Sequence, residues 1–148
     1  MVRLTFRSIS VAILLCLVVS CFGNGGPSNY SRVERTMTVT GYCDCKVCTG
    51  WERNWRFRPV FSSGPNKGER KKVGVTASGT KARHGTIAAD TSRYPFGTRM
   101  KVPGYGKGTV EDVGSAIQGE HIDVFFKDHK DAERWGVRTL KVTVWVPQ

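Results

Sequence analysis

"GTVEDVGSAIQGEHIDVFF", residues 108–126, decides how this chain is read. Two β-branched and aromatic runs, Thr109–Val113 and His121–Phe126, flank a segment broken by Gly114 and Gly119. That is the pattern of two short strands joined by a turning connection. Each run carries an aspartate, Asp112 in the first and Asp123 in the second. On a regular strand Glu111 points away from Asp112, and Asp123 shares a face with His121 and Phe125. A carboxylate between Ile122 and Val124 either faces water on an alternating strand or has its acidity set by apolar surroundings. With the two strands side by side, desolvation raises the pKa of Asp123 and the charge of Asp112 raises it further. A carboxylic acid still protonated near neutral pH can give its proton to a leaving oxygen.

Working outward, "TMTVTGY" (36–42) alternates like a half-buried strand. Further short runs at Val73–Ala77, Thr86–Ala89, Thr98–Val102 and Thr139–Val146 are separated by glycines. One helix is signalled after Asp128, with Ala132 and Trp135 on one face and Gly136 placed to end it. Many short strands with one short helix near the C-terminus predict an all-β domain, a small β-barrel. The segment 43–72 keeps no period and reads as a long aromatic and basic loop. Its Trp51 and Trp55 suit stacking on pyranose rings as well as packing under the loop, whereas Phe57 and Phe61 read as a small satellite core. Asp90 ends "TIAAD" before a turn and can be a turn residue or a third carboxylate of a site. No Ser or Cys nucleophile motif is present.

The N-terminus reads separately. Arg3 and Arg7 precede an apolar stretch ending at Ser20, an export signal (1–20) rather than a membrane span, which needs about 20 apolar residues. Val18, Val19 and Ser20 before Cys21 resemble the bacterial lipoprotein signal, in which that cysteine receives the lipid; an ordinary secretory signal is the alternative. Residues 21–34, rich in glycine, read as a flexible tether, and 35–148 as one domain. The full chain carries 23 Lys and Arg against 12 acids. Losing Arg3 and Arg7 with the signal leaves it basic, which favours anionic partners. For an exported protein those are cell-wall polymers and anionic headgroups rather than nucleic acid.

Cys43, Cys45 and Cys48 form C-x-C-x-x-C. In an oxidising compartment a disulfide within the trio is the first reading. The rival is a three-thiolate metal site, with His84 or an acid as fourth ligand. In either case the trio pins the long loop to the barrel.

The order and spacing of "MTVTGYCDCKVCTGW", "GVTASG", "GTIAADTSRYPFGTRMKVPGYGKGTVEDVGSAIQGEHIDVFF" and "HKDAERWGVRTLKVTVW" resemble the three-aspartate (3D) domain family of bacterial cell-wall enzymes, related to membrane-bound lytic transglycosylase A. The resemblance covers most of residues 37–145 and leaves about Glu52–Lys72 without a counterpart. It implies a double-psi β-barrel that holds peptidoglycan glycan strands in a groove. By position, the naming aspartates fall on Asp90, Asp112 and Asp123, with Asp123 as catalytic acid and Tyr42, Thr76 and Ser78 lining the cleft. The implied reaction cleaves the β-1,4 bond between N-acetylmuramic acid and N-acetylglucosamine to leave 1,6-anhydro ends, and it requires no cofactor. Hydrolysis with Asp112 as second carboxylate, a non-catalytic glycan-binding barrel and a wall-adhering structural lipoprotein are the other readings. The implied setting is the bacterial cell envelope, with a monomeric protein lipid-anchored to a membrane.

Overall fold

Met37 and Val39, which alternate with threonines in the sequence, are almost completely buried, and the strand that carries them frames the molecule. The computed structural model describes residues 30–147. The signal segment, Cys21 and the tether up to residue 29 lie outside the described residues. Strand β1 (Tyr30–Tyr42) begins well before residue 35. Tyr30–Glu34, read from the sequence as tether, instead pair with the last strand, β8 (Arg138–Pro147), and Val33 packs on the core. The glycines that suggested a tether end at Gly26, and Val33 supplies the apolar contact that keeps the strand paired.

Between these strands lie β4 (Thr86–Ala89), β5 (Arg99–Val102), β6 (Gly106–Asp112) and β7 (His121–Phe125). The six close into a barrel in the order β1-β7-β4-β6-β5-β8. The β1/β7 and β4/β6 pairs are parallel and the other neighbours antiparallel. This is the expected double-psi β-barrel. Its interior is filled by Val39, Ile87, Met100, Val110, Ile122, Val124, Val142 and Val144, all fully buried. Inward residues alternate with outward ones on each strand, so every inward aliphatic places its sequence neighbours on the outer face.

The expected C-terminal helix is α2 (His129–Trp135), which buries Ala132 and Trp135 and ends at Gly136. It lies against β1 at Gly41, where a Cβ would meet the Ala132 carbonyl and the Phe126 ring at 3.1 Å. Asp128 holds the N-cap position without a side-chain bond to the helix.

Two further sequence expectations change. Val73–Ala77 forms no strand; Thr76 N–H bonds the Thr80 carbonyl at 2.9 Å and closes a turn, with an isolated bridge between Val75 and Lys81. The segment 43–72 is more regular than a loop. It holds a one-turn helix, α1 (Lys46–Thr49), and a hairpin of β2 (Trp51–Arg53) and β3 (Pro59–Phe61). Phe57 is not satellite core: it sits at the hairpin tip beside Trp55, and the two are 77% and 80% exposed. Val60 is the hairpin residue that is buried.

Candidate functional site

The outer face of the barrel brings the two aspartates of residues 108–126 to one alanine. Ala88 on β4 is the register partner of Asp123 on β7 and of Asp112 on β6. Asp123 in turn pairs with Thr40 on β1. Directly opposed residues point to the same face, so Thr40, Asp123, Ala88 and Asp112 form a row across four adjacent strands. The strands flanking β4 stand about 10 Å apart, two strand spacings. The methyl group of Ala88 between them leaves a shallow floor rather than a ridge.

Simple alternation from the buried Val110 would turn Asp112 inward. It does not, because the pairing shifts between Ile87/Val110 and Ala88/Asp112. Glu111 is the extra residue of this β-bulge, a device that re-aims the side chain after it. The bulge is anchored on both sides. The Glu111 carbonyl accepts the Ser78 N–H at 3.0 Å, and its carboxylate takes the Thr86 hydroxyl at 2.8 Å and faces Arg83 at 3.5 Å.

Asp112 is held by three donors. Its Oδ1 accepts the backbone N–H groups of Ala77 (2.9 Å) and Val113 (3.0 Å), and its Oδ2 accepts the Tyr42 hydroxyl at 2.9 Å. Tyr42 is buried, with its ring edge-on to Phe125. Burial, then the charge of Asp112, push its hydroxyl pKa upward, so it stays a proton donor.

Asp123 is in a drier place. Burial raises its pKa to about 6, and the charge of Asp112 adds to the shift; the Thr40 hydrogen bond and His121 oppose it. Thr40 Oγ1 donates to Asp123 Oδ1 at 3.0 Å and lies 3.0 Å from His121 Nε2. The small outer cluster of Tyr42, Ala88 and Phe125, with Cys48 and Ala82 against it, supplies the apolar wall.

The structure thus brings Asp112, Asp123 and Tyr42 together. Thr76 is buried and knits its turn through Thr80, to whose carbonyl its hydroxyl donates at 3.1 Å. Ser78 is exposed on that turn, whose backbone reaches Asp112 and Glu111. Asp90 stands apart. Its Oδ1 takes the Ser92 hydroxyl (2.6 Å) and N–H (3.0 Å), its Oδ2 the Gly119 N–H (3.0 Å). These bonds, the Ser92 hydroxyl foremost, lower its pKa. It therefore ties the turn after β4 to the connection that leads into β7. Sequence reading missed Thr40, Ala88 and the bulge. Period-2 alternation of 36–42 put Thr40 opposite Met37 and Val39, but its partner depends on parallel pairing across the chain.

Of the trio, Cys43, Cys45 and Cys48 are free thiols, with 3.7 Å between Cys43 Sγ and Cys48 Sγ. They are not joined as the sequence reading preferred. His84 stacks on Tyr105 at 4.5 Å instead of joining them, and His129 takes that place. A cavity of about 560 Å³ lined by Arg83, His84, Arg99 and Lys107 lies on the β5–β6 side and includes neither Asp112 nor Asp123.

Residues 85–147, which contain all three aspartates and five of the six barrel strands, match the family model of the 3D domain. Over those residues the chain is similar to the 3D domain. It is 43% identical over 75 residues to "Cell wall-binding protein YocH" of Bacillus subtilis (strain 168), covering 48% of this chain and 26% of that protein. It is 40% identical over 123 residues to "Putative cell wall shaping protein YabE" of the same organism, covering 80% of this chain and 30% of that protein. The chain thus spans less than a third of the length of either curated relative. Among solved structures it is similar to MltA from E. coli, with 23% identity, a TM-score of 0.41, and coverage of 50% of this chain and 28% of that one. MltA with bound chitohexaose matches at 22% identity and a TM-score of 0.42, over 49% and 27% of the two chains.

Proposed function

We propose that the protein is a peptidoglycan lytic transglycosylase of the cell envelope. The observation that carries this reading is the row Thr40–Asp123–Ala88–Asp112, which sets a half-buried, protonatable carboxyl across Ala88 from an anionic one on the outer barrel face. With its pKa near 6, Asp123 is protonated over a mildly acidic range. It gives its proton to the glycosidic oxygen as the bond from C1 of N-acetylmuramic acid breaks. The carboxylate left behind takes the proton of the C6 hydroxyl, and O6 closes on C1 to form the 1,6-anhydro ring. Asp112 stabilises the positive charge that develops at C1. Both its oxygens already accept hydrogen bonds, which suits fixed electrostatic support better than activation of a water. Tyr42 keeps Asp112 in place, and the exposed Ser78 and Trp55 offer polar and stacking contacts to a glycan. Asp90 is a positioning residue in this scheme.

A non-catalytic glycan-binding role is the second reading, favoured by the name of the relative YocH, a cell wall-binding protein. The test is digestion of purified peptidoglycan and mass spectrometry of the products. Muropeptides with anhydro ends, resistant to borohydride, support the transglycosylase. Reducible ends mean hydrolysis with Asp112 as the second carboxylate, and binding without release means a binding module.

A further inference from the structure

Away from the glycan chemistry, three thiols and an imidazole converge on one point. Cys43 follows β1, Cys45 caps α1 and accepts the Cys48 N–H at 3.5 Å, Cys48 lies in α1, and His129 opens α2. His129 Nδ1 is 3.7, 3.5 and 3.4 Å from the sulfurs of Cys43, Cys45 and Cys48. Cys43 Sγ and Cys48 Sγ are 3.7 Å apart, and all four ligand atoms lie within 4.8 Å of one another. Thiols alone do not account for this, since one imidazole lone pair accepts a single S–H well, yet three sulfurs surround it. A disulfide would draw two sulfurs to about 2.05 Å and leave the third without purpose.

A tetrahedral zinc ion does account for it. Zn–S bonds of about 2.3 Å and a Zn–N bond of about 2.05 Å require S···S edges near ~3.8 Å and S···N edges near ~3.6 Å. A second observation points the same way. His129 Nε2, the nitrogen facing away from the sulfurs, is 3.1 Å from Glu133 Oε1, one turn along α2. A carboxylate that accepts a hydrogen bond from Nε2–H leaves the Nδ1 lone pair free for a metal and fixes the ring, the usual outer support of a histidine ligand. We propose that Cys43, Cys45, Cys48 and His129 hold one zinc ion in a closed structural site.

Four protein ligands leave no open position for a substrate or water, so the site is structural rather than catalytic. Its ligands come from three places that share no β-ladder. The ion would fasten α1, and with it the β2–β3 hairpin, to the start of α2. Cys43 directly follows Tyr42, and Cys48 packs against the Tyr42–Ala88–Phe125 cluster. The clamp therefore adjoins Tyr42, the residue whose hydroxyl holds Asp112.

The experiment is the metal content of the full chain purified without chelators, read by plasma mass spectrometry, followed by cobalt substitution. One zinc per chain is expected, and the cobalt form should show the intense visible bands of a tetrahedral site with thiolate charge transfer. Cys48→Ser and His129→Ala should lose that signature, whereas His84→Ala should keep it. If the ligand variants fail to fold, wild-type stoichiometry and the cobalt spectrum still decide. Chain that takes up no zinc from an excess overturns the proposal. So does a disulfide mapped within the trio, an octahedral cobalt spectrum, or a folded His129→Ala chain whose spectrum is unchanged. Zinc content is read independently of glycan cleavage, so the two proposals fail separately.

Discussion

Asp123 owes its acidity to burial and to three neighbours that pull in opposite directions, and each neighbour can be removed by itself. Burial and the charge of Asp112 raise its pKa; the Thr40 hydrogen bond and His121 lower it. A general acid must be protonated to act, so turnover should decline as pH rises through about 6. Asp112→Asn removes a like charge that favoured the protonated form, and the declining limb should move to lower pH. Thr40→Val removes a bond to the ionised form at nearly constant volume, and the limb should move to higher pH. The pH profile of peptidoglycan solubilisation measures both; shifts in one direction for the two variants would contradict the assignment. The raised pKa was legible in the sequence, where Ile122, Val124 and Phe125 flank Asp123, although in the barrel only Phe125 shares its face and Ile122 and Val124 turn inward. The counterweight was not, because Thr40 lies 83 residues away and reaches Asp123 only through the parallel register of β1 and β7.

At the scale of the element, the decisive feature is the bulge in β6. The run Thr109–Val113 announces a strand, but an inserted residue leaves no mark on local periodicity. Its effect is to place Asp112 on the groove side and Glu111 against Arg83 and Thr86. The parallel contact of β4 and β6 is tight just before it. A Cβ on Gly108 would come within 2.7 Å of the Gly85 carbonyl oxygen and of Ile87 Cδ1. Gly108→Ala is therefore expected to destabilise the barrel by about 1–3 kcal/mol, the range for overpacking. Denaturant unfolding checks it, and an unchanged midpoint would mean that β6 yields more easily than its contacts indicate. The β2–β3 hairpin escaped sequence reading for a different reason. Its strands are three residues each, too short for alternation to register, and its aromatic tip packs on no core. The core strands were legible because inward aliphatics repeat with period two, as at Leu140, Val142, Val144 and Val146.

The whole molecule joins a basic surface, an outward-facing carboxylate pair and an N-terminal segment that reads as a lipoprotein signal. Electrostatic attraction to an anionic wall polymer and attachment at Cys21 would act together, holding the groove close to its substrate. Mature protein from membranes should carry an acylated Cys21 by mass spectrometry, and Cys21→Ser should block processing or release the chain; soluble mature protein with an unmodified Cys21 would remove the anchor. The barrel class followed from strand number and spacing, whereas the site needed the closed topology that brings β6 and β7 to either side of β4. That topology makes Asp123 the centre of the account, and one comparison tests it most directly: wild type and Asp123→Asn on the same purified peptidoglycan, with released anhydro-muropeptides and pelleted protein measured together. The amide keeps the size of the side chain but cannot deliver the proton, so release should fall by about 100-fold or more while cosedimentation persists. An Asp123→Asn protein that releases anhydro-muropeptides at the wild-type rate would contradict the account.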